Sequence, residues 1–275
     1  MFDLAALDAA LAGTIFAGNL HFSPVTGSTN SDALAAARSA APHGSVYLTD
    51  EQQAGRGRGD HAWHSAAGEG LTVSVLLRPR IPAVRLPLVP LAAGLAAADA
   101  IQAVAGLAVD LRWPNDLLLS TPRTETCPWG PRFDPRKAGG ILVETHTEGS
   151  TVAFAVAGIG INVHQRSFPS DLATPATSLD LEAKRRVSRQ DLLVALLKSL
   201  ERETLGLLDP AAGETIPRRV EQASTWVRGR RVEVHGPQAC TGVTAGLDQN
   251  GFLLVRTAGG VVMVQTGGIR AAEIG

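Results

Sequence analysis

Apolar positions along most of this chain switch between helical spacing and short strand-like runs. Phe2–Ala12 predicts a short amphipathic helix, and Leu20–Val25 a strand. Ala33–Ala41 is an alanine-rich run with high helix propensity, and the Ser28-Thr29-Asn30-Ser31-Asp32 run before it offers several capping side chains. Ser45–Thr49 and Leu71–Leu77 predict strands, Leu88–Ala105 a long helix rich in Ala and Leu, and Leu107–Trp113 a strand ended by Pro114. Ala138–Glu144 and Val152–Ile161 run apolar or alternate, as paired strands do. Ser188–Leu208 is strongly periodic, with Leu192, Leu193, Leu196, Leu197 and Leu200 on one side of a helix.

After Trp226 the pattern changes. Arg231–His235, Thr241–Gly246, Phe252–Thr257 and Val261–Thr266 are short strand-like runs, separated by Gly236-Pro237, Asn250-Gly251 and Gly259-Gly260 turn signals. They predict a small all-β barrel, with a boundary near Ser224 that divides the chain into residues 1–224 and 225–275. Ser120–Pro135 carries Pro122, Pro128, Pro131 and Pro135, too many for a helix or a central strand, and reads as a tolerated surface insertion, with a lid or partner-contact role as the alternative.

Composition narrows the function classes. With 45% hydrophobic residues the chain has material for a sizeable core and is not disordered. The net charge of −1 and the lack of a basic tail argue against a general nucleic-acid binder. Two cysteines, Cys127 and Cys240, imply neither a disulfide framework nor a zinc cluster, and favour a reducing, cytoplasmic setting. No uninterrupted apolar run reads as a membrane span, and no signal peptide is expected.

Candidate chemistry lies in five segments. Gln52-Gln53-Ala54-Gly55-Arg56-Gly57-Arg58 alternates glycine, which lets a ligand come close to the backbone, with arginine, whose planar fork suits carboxylates and phosphates. The others are Gly27-Ser28-Thr29-Asn30, Arg112-Trp113-Pro114-Asn115-Asp116, Arg136 through Glu144, and Gly158-Ile159-Gly160-Ile161-Asn162-Val163. Each alone is a weak signal. Together and in this order they resemble the biotin protein ligase family, over about Val25 to Val163.

The resemblance implies an α+β fold: a central mixed β-sheet with helices, like class II synthetases and biotinyl/lipoyl ligases, plus an SH3-like C-terminal β barrel. It implies an ATP- and Mg²⁺-dependent enzyme that activates biotin as biotinyl-5′-AMP and passes it to a lysine of a biotin carboxyl carrier domain. Family matching assigns Lys137, Arg58 and Asp116 to catalysis. It places Ser28, Thr29, Asn30, Gln52, Gly55, Arg56, Gly57, Arg58, Lys137 and Gly140 around biotin. Arg58, Trp63, Asn115, Lys137 and Asn162 fall to the adenylate. Bland alternatives stand beside these: capping by Ser28 or Asn30, core packing by Trp63, turn chemistry for Asn115-Asp116, and a sheet bend at Gly158-x-Gly160.

Several features depart from the family pattern. Arginine stands at position 112 where lysine is frequent, Asp60 brings negative charge to the arginine loop, and Ser120–Pro135 lengthens the path from Asp116 to Lys137. The chain opens directly on its catalytic part, so a ligase without DNA binding is expected. A homodimer that extends a sheet is consistent with the family. A lipoate ligase or lipoyl/octanoyl transferase is the nearest alternative, and a non-enzymatic nucleic-acid-binding module using Arg56 and Arg58 is an alternative of another kind.

Overall fold

The computed structural model describes residues 2–59, 61–120, 122–127, 130–133 and 135–272, so Asp60 lies outside the described residues. In chain order the elements are α1 Leu4–Ala10, β1 Leu20–Thr26, α2 Thr29–Arg38, β2 Val46–Gln52, β3 Gly70–Leu77, α3 Leu88–Ala105, β4 Val109–Arg112, β5 Asp116–Leu119, β6 Pro122–Cys127, β7 Gly130–Phe133, β8 Arg136–Glu148 and β9 Thr151–Asn162. There follow α4 Leu179–Ala183, α5 Arg189–Leu208, α6 Ala212–Gln222, β10 Arg228–His235, β11 Cys240–Leu247, β12 Leu253–Thr257, β13 Gly260–Val264 and β14 Gly268–Ala271.

A seven-stranded sheet in the order β1-β2-β3-β9-β8-β5-β4 forms the centre. It is mixed: β1 and β2 are parallel, and every other neighbouring pair is antiparallel. Side chains alternate across the pleat, so each strand serves two faces. One face of β3 sends Leu71, Val73, Val75 and Leu77 into the main core with α3 and α5. The other face turns Leu76 toward α2, where it joins Ala33, Ala37, Phe154 and Val156 in a smaller cluster. Thr72 and Ser74 lie on that second face too, buried and hydrogen-bonded to the side chains of Ser65 and of Thr29 and Asn30.

Helix α3 matches its sequence expectation residue for residue, and Gly106 ends it in the left-handed conformation (φ 72°) that favours glycine. The stretch Ala83–Ala105 is long and apolar enough to cross a membrane by composition, contrary to the reading of the sequence. Most of it is buried inside the fold, where it packs on α5 and the sheet. Helix α2 begins at Thr29, four residues earlier than its alanine run suggests. Ser28 therefore takes the N-cap position, yet its hydroxyl makes no capping bond. The proline-rich insertion contains its own two-stranded ladder, β6 with β7, separate from the central sheet.

The C-terminal strands form a five-stranded antiparallel sheet, β13-β12-β11-β10-β14. Strand β14 was not foreseen, and among the described residues no ladder joins the edge strands β13 and β14. Its attachment to the rest of the protein is specific. Buried Trp113 donates its Nε1–H to the Gly251 carbonyl at 3.1 Å, and Thr225 Oγ1 donates to Asp110 at 2.7 Å.

Candidate active site

In a sheet, residues paired across neighbouring strands share a face. Thr72 pairs with Gly160, Gly160 with Gly140, and Gly140 with Asp116, giving one row across β3, β9, β8 and β5. The next row runs Ser74, Gly158, Leu142. Glycines at 158, 160 and 140 strip this face of side chains, which leaves a shallow floor that neighbouring groups overlie. A Cβ at Gly158 would fall 2.1 Å from Asn30 Oδ1, and one at Gly160 would fall 2.5 Å from the Trp63 ring. The Gly-x-Gly pair is thus a place of close approach within β9.

A continuous polar network lines one end of the floor. Gln52 Oε1 accepts from the Thr29 backbone N–H (2.8 Å) and hydroxyl (3.0 Å). The buried Ser74 hydroxyl donates toward Thr29 Oγ1 (2.7 Å) and Asn30 Oδ1 (2.6 Å). Asn30 Nδ2 donates to Glu144 Oε2 at 2.8 Å, and Arg56 Nη2 reaches the same oxygen at 2.8 Å. The network begins at Gln52 and returns to Arg56, so it ties both ends of the Gly-Arg loop to the pocket floor. Gly55 and Gly57 let that loop fold tightly: the Trp63 N–H bonds the Gly55 carbonyl and the Gly57 N–H bonds the His61 carbonyl.

Charge dominates the other end. Asp116, with its side chain 14% exposed, pairs with Lys137 Nζ through Oδ1 (2.6 Å) and with the Arg112 fork through Oδ2 (2.6 and 3.0 Å). Burial alone would push the Asp116 carboxyl up; the Lys137 and Arg112 cations outweigh it and hold the group below its ordinary value. Lys137 lies along Gly140, whose missing Cβ would stand 3.5 Å from Nζ. The Lys137 backbone is clamped by Pro175 and Thr177, and Asn162 Nδ2 donates to the Thr177 carbonyl at 3.0 Å. Asn115 Nδ2 donates to the Ile141 carbonyl at 2.8 Å. Both amide nitrogens therefore brace backbone around Lys137.

Arg58 is held apart from the polar network. Its two terminal nitrogens donate to the Gly267 carbonyl and to Thr266 Oγ1 (3.0 Å), in the turn between β13 and β14. Burial lowers its pKa, and Asp116 pulls the other way. Residue-type reasoning missed Ser74, Glu144 as a loop tether, and Thr266. Ser74 had a legible signal, since Thr72 and Ser74 are polar at period two inside an otherwise apolar strand.

Comparison with known proteins decides the kinship. The model of the biotin/lipoate A/B protein ligase family matches residues 22–162, just over half of the chain and all five motif segments in whole or nearly so. The chain belongs to this family. It is 36% identical over 186 residues to the bifunctional ligase/repressor BirA of Bacillus spizizenii, covering 67% of this chain and 53% of that protein. It is 31% identical over 250 residues to the biotin–[acetyl-CoA-carboxylase] ligase of Mycobacterium tuberculosis, covering 89% and 85%. The chain thus spans about half the length of its Bacillus relatives and most of the mycobacterial one. Among solved structures, the Aquifex aeolicus biotin protein ligase in complex with biotin and ATP is similar with a TM-score of 0.71 at 26% identity, covering 92% of this chain and 97% of that one. As a family member the chain carries the mixed α+β architecture of these ligases.

Proposed function

We propose that the protein is an ATP-dependent biotin–protein ligase. The observation that carries this reading is the floor itself: the Gln52–Thr29–Ser74–Asn30 network and the Asp116–Lys137 pair flank one glycine-lined row of the sheet. A cyclic urea needs donors and acceptors at fixed angles, which hydroxyls and amides supply. A carboxylate and a polyphosphate need cations between them. Two unit charges ~4 Å apart repel by about 4 kcal/mol at an effective dielectric of 20. Lys137 and Arg58 supply that compensation.

In the first step a carboxylate oxygen of biotin attacks the α-phosphorus of ATP, and pyrophosphate leaves. In the second, a lysine amine of a carrier domain attacks the acyl carbon, AMP leaves, and the amine loses a proton. Asp116 orients Lys137; Asn115 and Asn162 keep the surrounding backbone in place; Trp63 covers Gly160. Among the described residues no cluster of three His, Cys, Asp or Glu side chains is found. Asp116 has both oxygens engaged by cations, so this set does not fit a magnesium ion held by the protein, and no step is routed through one. Magnesium enters as the companion of ATP.

The reading takes residues 1–224 as the catalytic part, 225–275 as the accessory β part, and the cytoplasm as the setting. The mycobacterial and Aquifex relatives, both named for biotin, favour it over lipoate transfer. A nucleic-acid module is disfavoured by the net charge of −1 and by aromatics at only 4% of residues. The test is incubation with ATP, Mg²⁺ and a carrier domain, with biotin in one arm and lipoate in the other, and mass detection of the carrier. A mass gain with biotin alone supports the proposal; a gain with lipoate alone, or with neither, refutes it.

A further inference from the structure

The turn that receives Arg58 is built in advance. Gln238 Oε1 accepts from the backbone N–H groups of Gln265 (2.8 Å) and Thr266 (3.4 Å), which holds the turn from the β10–β11 side. Gly267 has φ 121°, and a Cβ there would lie 2.0 Å from the His235 carbonyl oxygen, so its backbone is pressed against β10 and admits no larger residue. The result is a fixed pair of acceptors, the Gly267 carbonyl and the Thr266 hydroxyl. The planar guanidinium of Arg58 presents two terminal nitrogens to that pair across 208 and 209 residues of chain. Arg58 belongs to the glycine-flanked loop whose other arm, Arg56, is tied to Glu144 on the pocket floor.

We propose that the Thr266–Gly267 turn is a receptor for Arg58, and that through it the C-terminal sheet positions the arginine loop over the catalytic floor. Thr266 is a positioning residue: it acts through Arg58. The loop is then anchored at two points, Glu144 on the catalytic sheet and the turn on the C-terminal sheet. Losing the second anchor frees the Arg58 end of the loop while the first anchor and the core stay as they are. The inference deepens the ligase reading and rests on it for its functional consequence, the retention of the adenylate.

The test uses the full chain. Thr266→Val keeps the shape of the side chain and removes one acceptor, and Gln238→Ala loosens the turn from behind. Trypsin cleavage after Arg58 reports on docking without reference to activity. One hydrogen bond to a charged donor corresponds to about tenfold in an equilibrium. Both variants are expected to speed cleavage after Arg58 about tenfold, with an unchanged melting temperature. Thr266→Val is also expected to speed release of free adenylate about tenfold in the wild-type background and to have no effect in Arg58→Ala. Unchanged cleavage overturns the receptor. Equal effects of Thr266→Val with and without Arg58 overturn its action through that residue. Faster cleavage in a protein that makes no adenylate from biotin leaves the receptor standing and removes the ligase reading and the functional half of the inference with it.

Discussion

Gly158→Ala probes the packing on which the pocket depends. The added methyl would meet Asn30 Oδ1 at 2.1 Å, Cγ at 2.8 Å and Nδ2 at 3.1 Å. Something must move. Strand β9 is paired on both sides, with β3 and with β8, so shifting its backbone would disturb two ladders at once. Moving Asn30 is the cheaper response. It sacrifices the Ser74 bond at 2.6 Å and the Glu144 bond at 2.8 Å. A neutral bond contributes about 1 kcal/mol and one to a charged group about 2 kcal/mol, which gives a cost of about 3 kcal/mol. The expectation is a lower urea midpoint with an unchanged denaturant slope, together with weakened biotin binding by titration calorimetry. The decisive comparison is a double-mutant cycle. Asn30→Ala already loses those bonds and vacates the space, so adding Gly158→Ala to it should cost less than about 1 kcal/mol. Additive costs would show that the strand moves instead, and would refute the reasoning.

Other outcomes follow from the same geometry. Lys137→Ala is expected to cut adenylate formation by about 10²–10³-fold, with the fold kept but the melting temperature lowered because the buried Asp116 is left with Arg112 alone; near-normal pyrophosphate release would reject the assignment. Arg58→Ala should accelerate escape of free adenylate, measured by trapping the intermediate without carrier, and an unaltered rate would count against its role. Asp116→Asn leaves two cations without their shared partner and should destabilise by about 3 kcal/mol at neutral pH. Because the folded Asp116 pKa is depressed, the carboxylate's contribution is full above its unfolded value of about 3.9 and fades as pH falls through the folded one. The stability gap between wild type and variant should therefore be constant from pH 7 to about pH 5 and close only in stronger acid; a gap that closes on going alkaline would contradict this sign.

Local elements and the residue types they carry are written in short stretches of the chain. Leu88–Ala105 is legible as a helix because its Ala- and Leu-rich run ends at a glycine, and β3 and β9 are legible because long apolar runs have few other uses. The motif segments were legible only as an ordered set, by their resemblance to the biotin protein ligase family. Other features came only with the tertiary structure. Strand β5 begins at Asp116 because it completes the sheet between β8 and β4, and nothing in Asp-Leu-Leu-Leu alone demands that. Asp116 meets Lys137 because their strands are neighbours in the sheet, and Arg58 meets Thr266 because the C-terminal sheet lies beside the loop. Periodicity reports which side of an element is buried, a property of a few consecutive residues. Which elements lie side by side, and so which charges are paired, is fixed by packing over the whole chain.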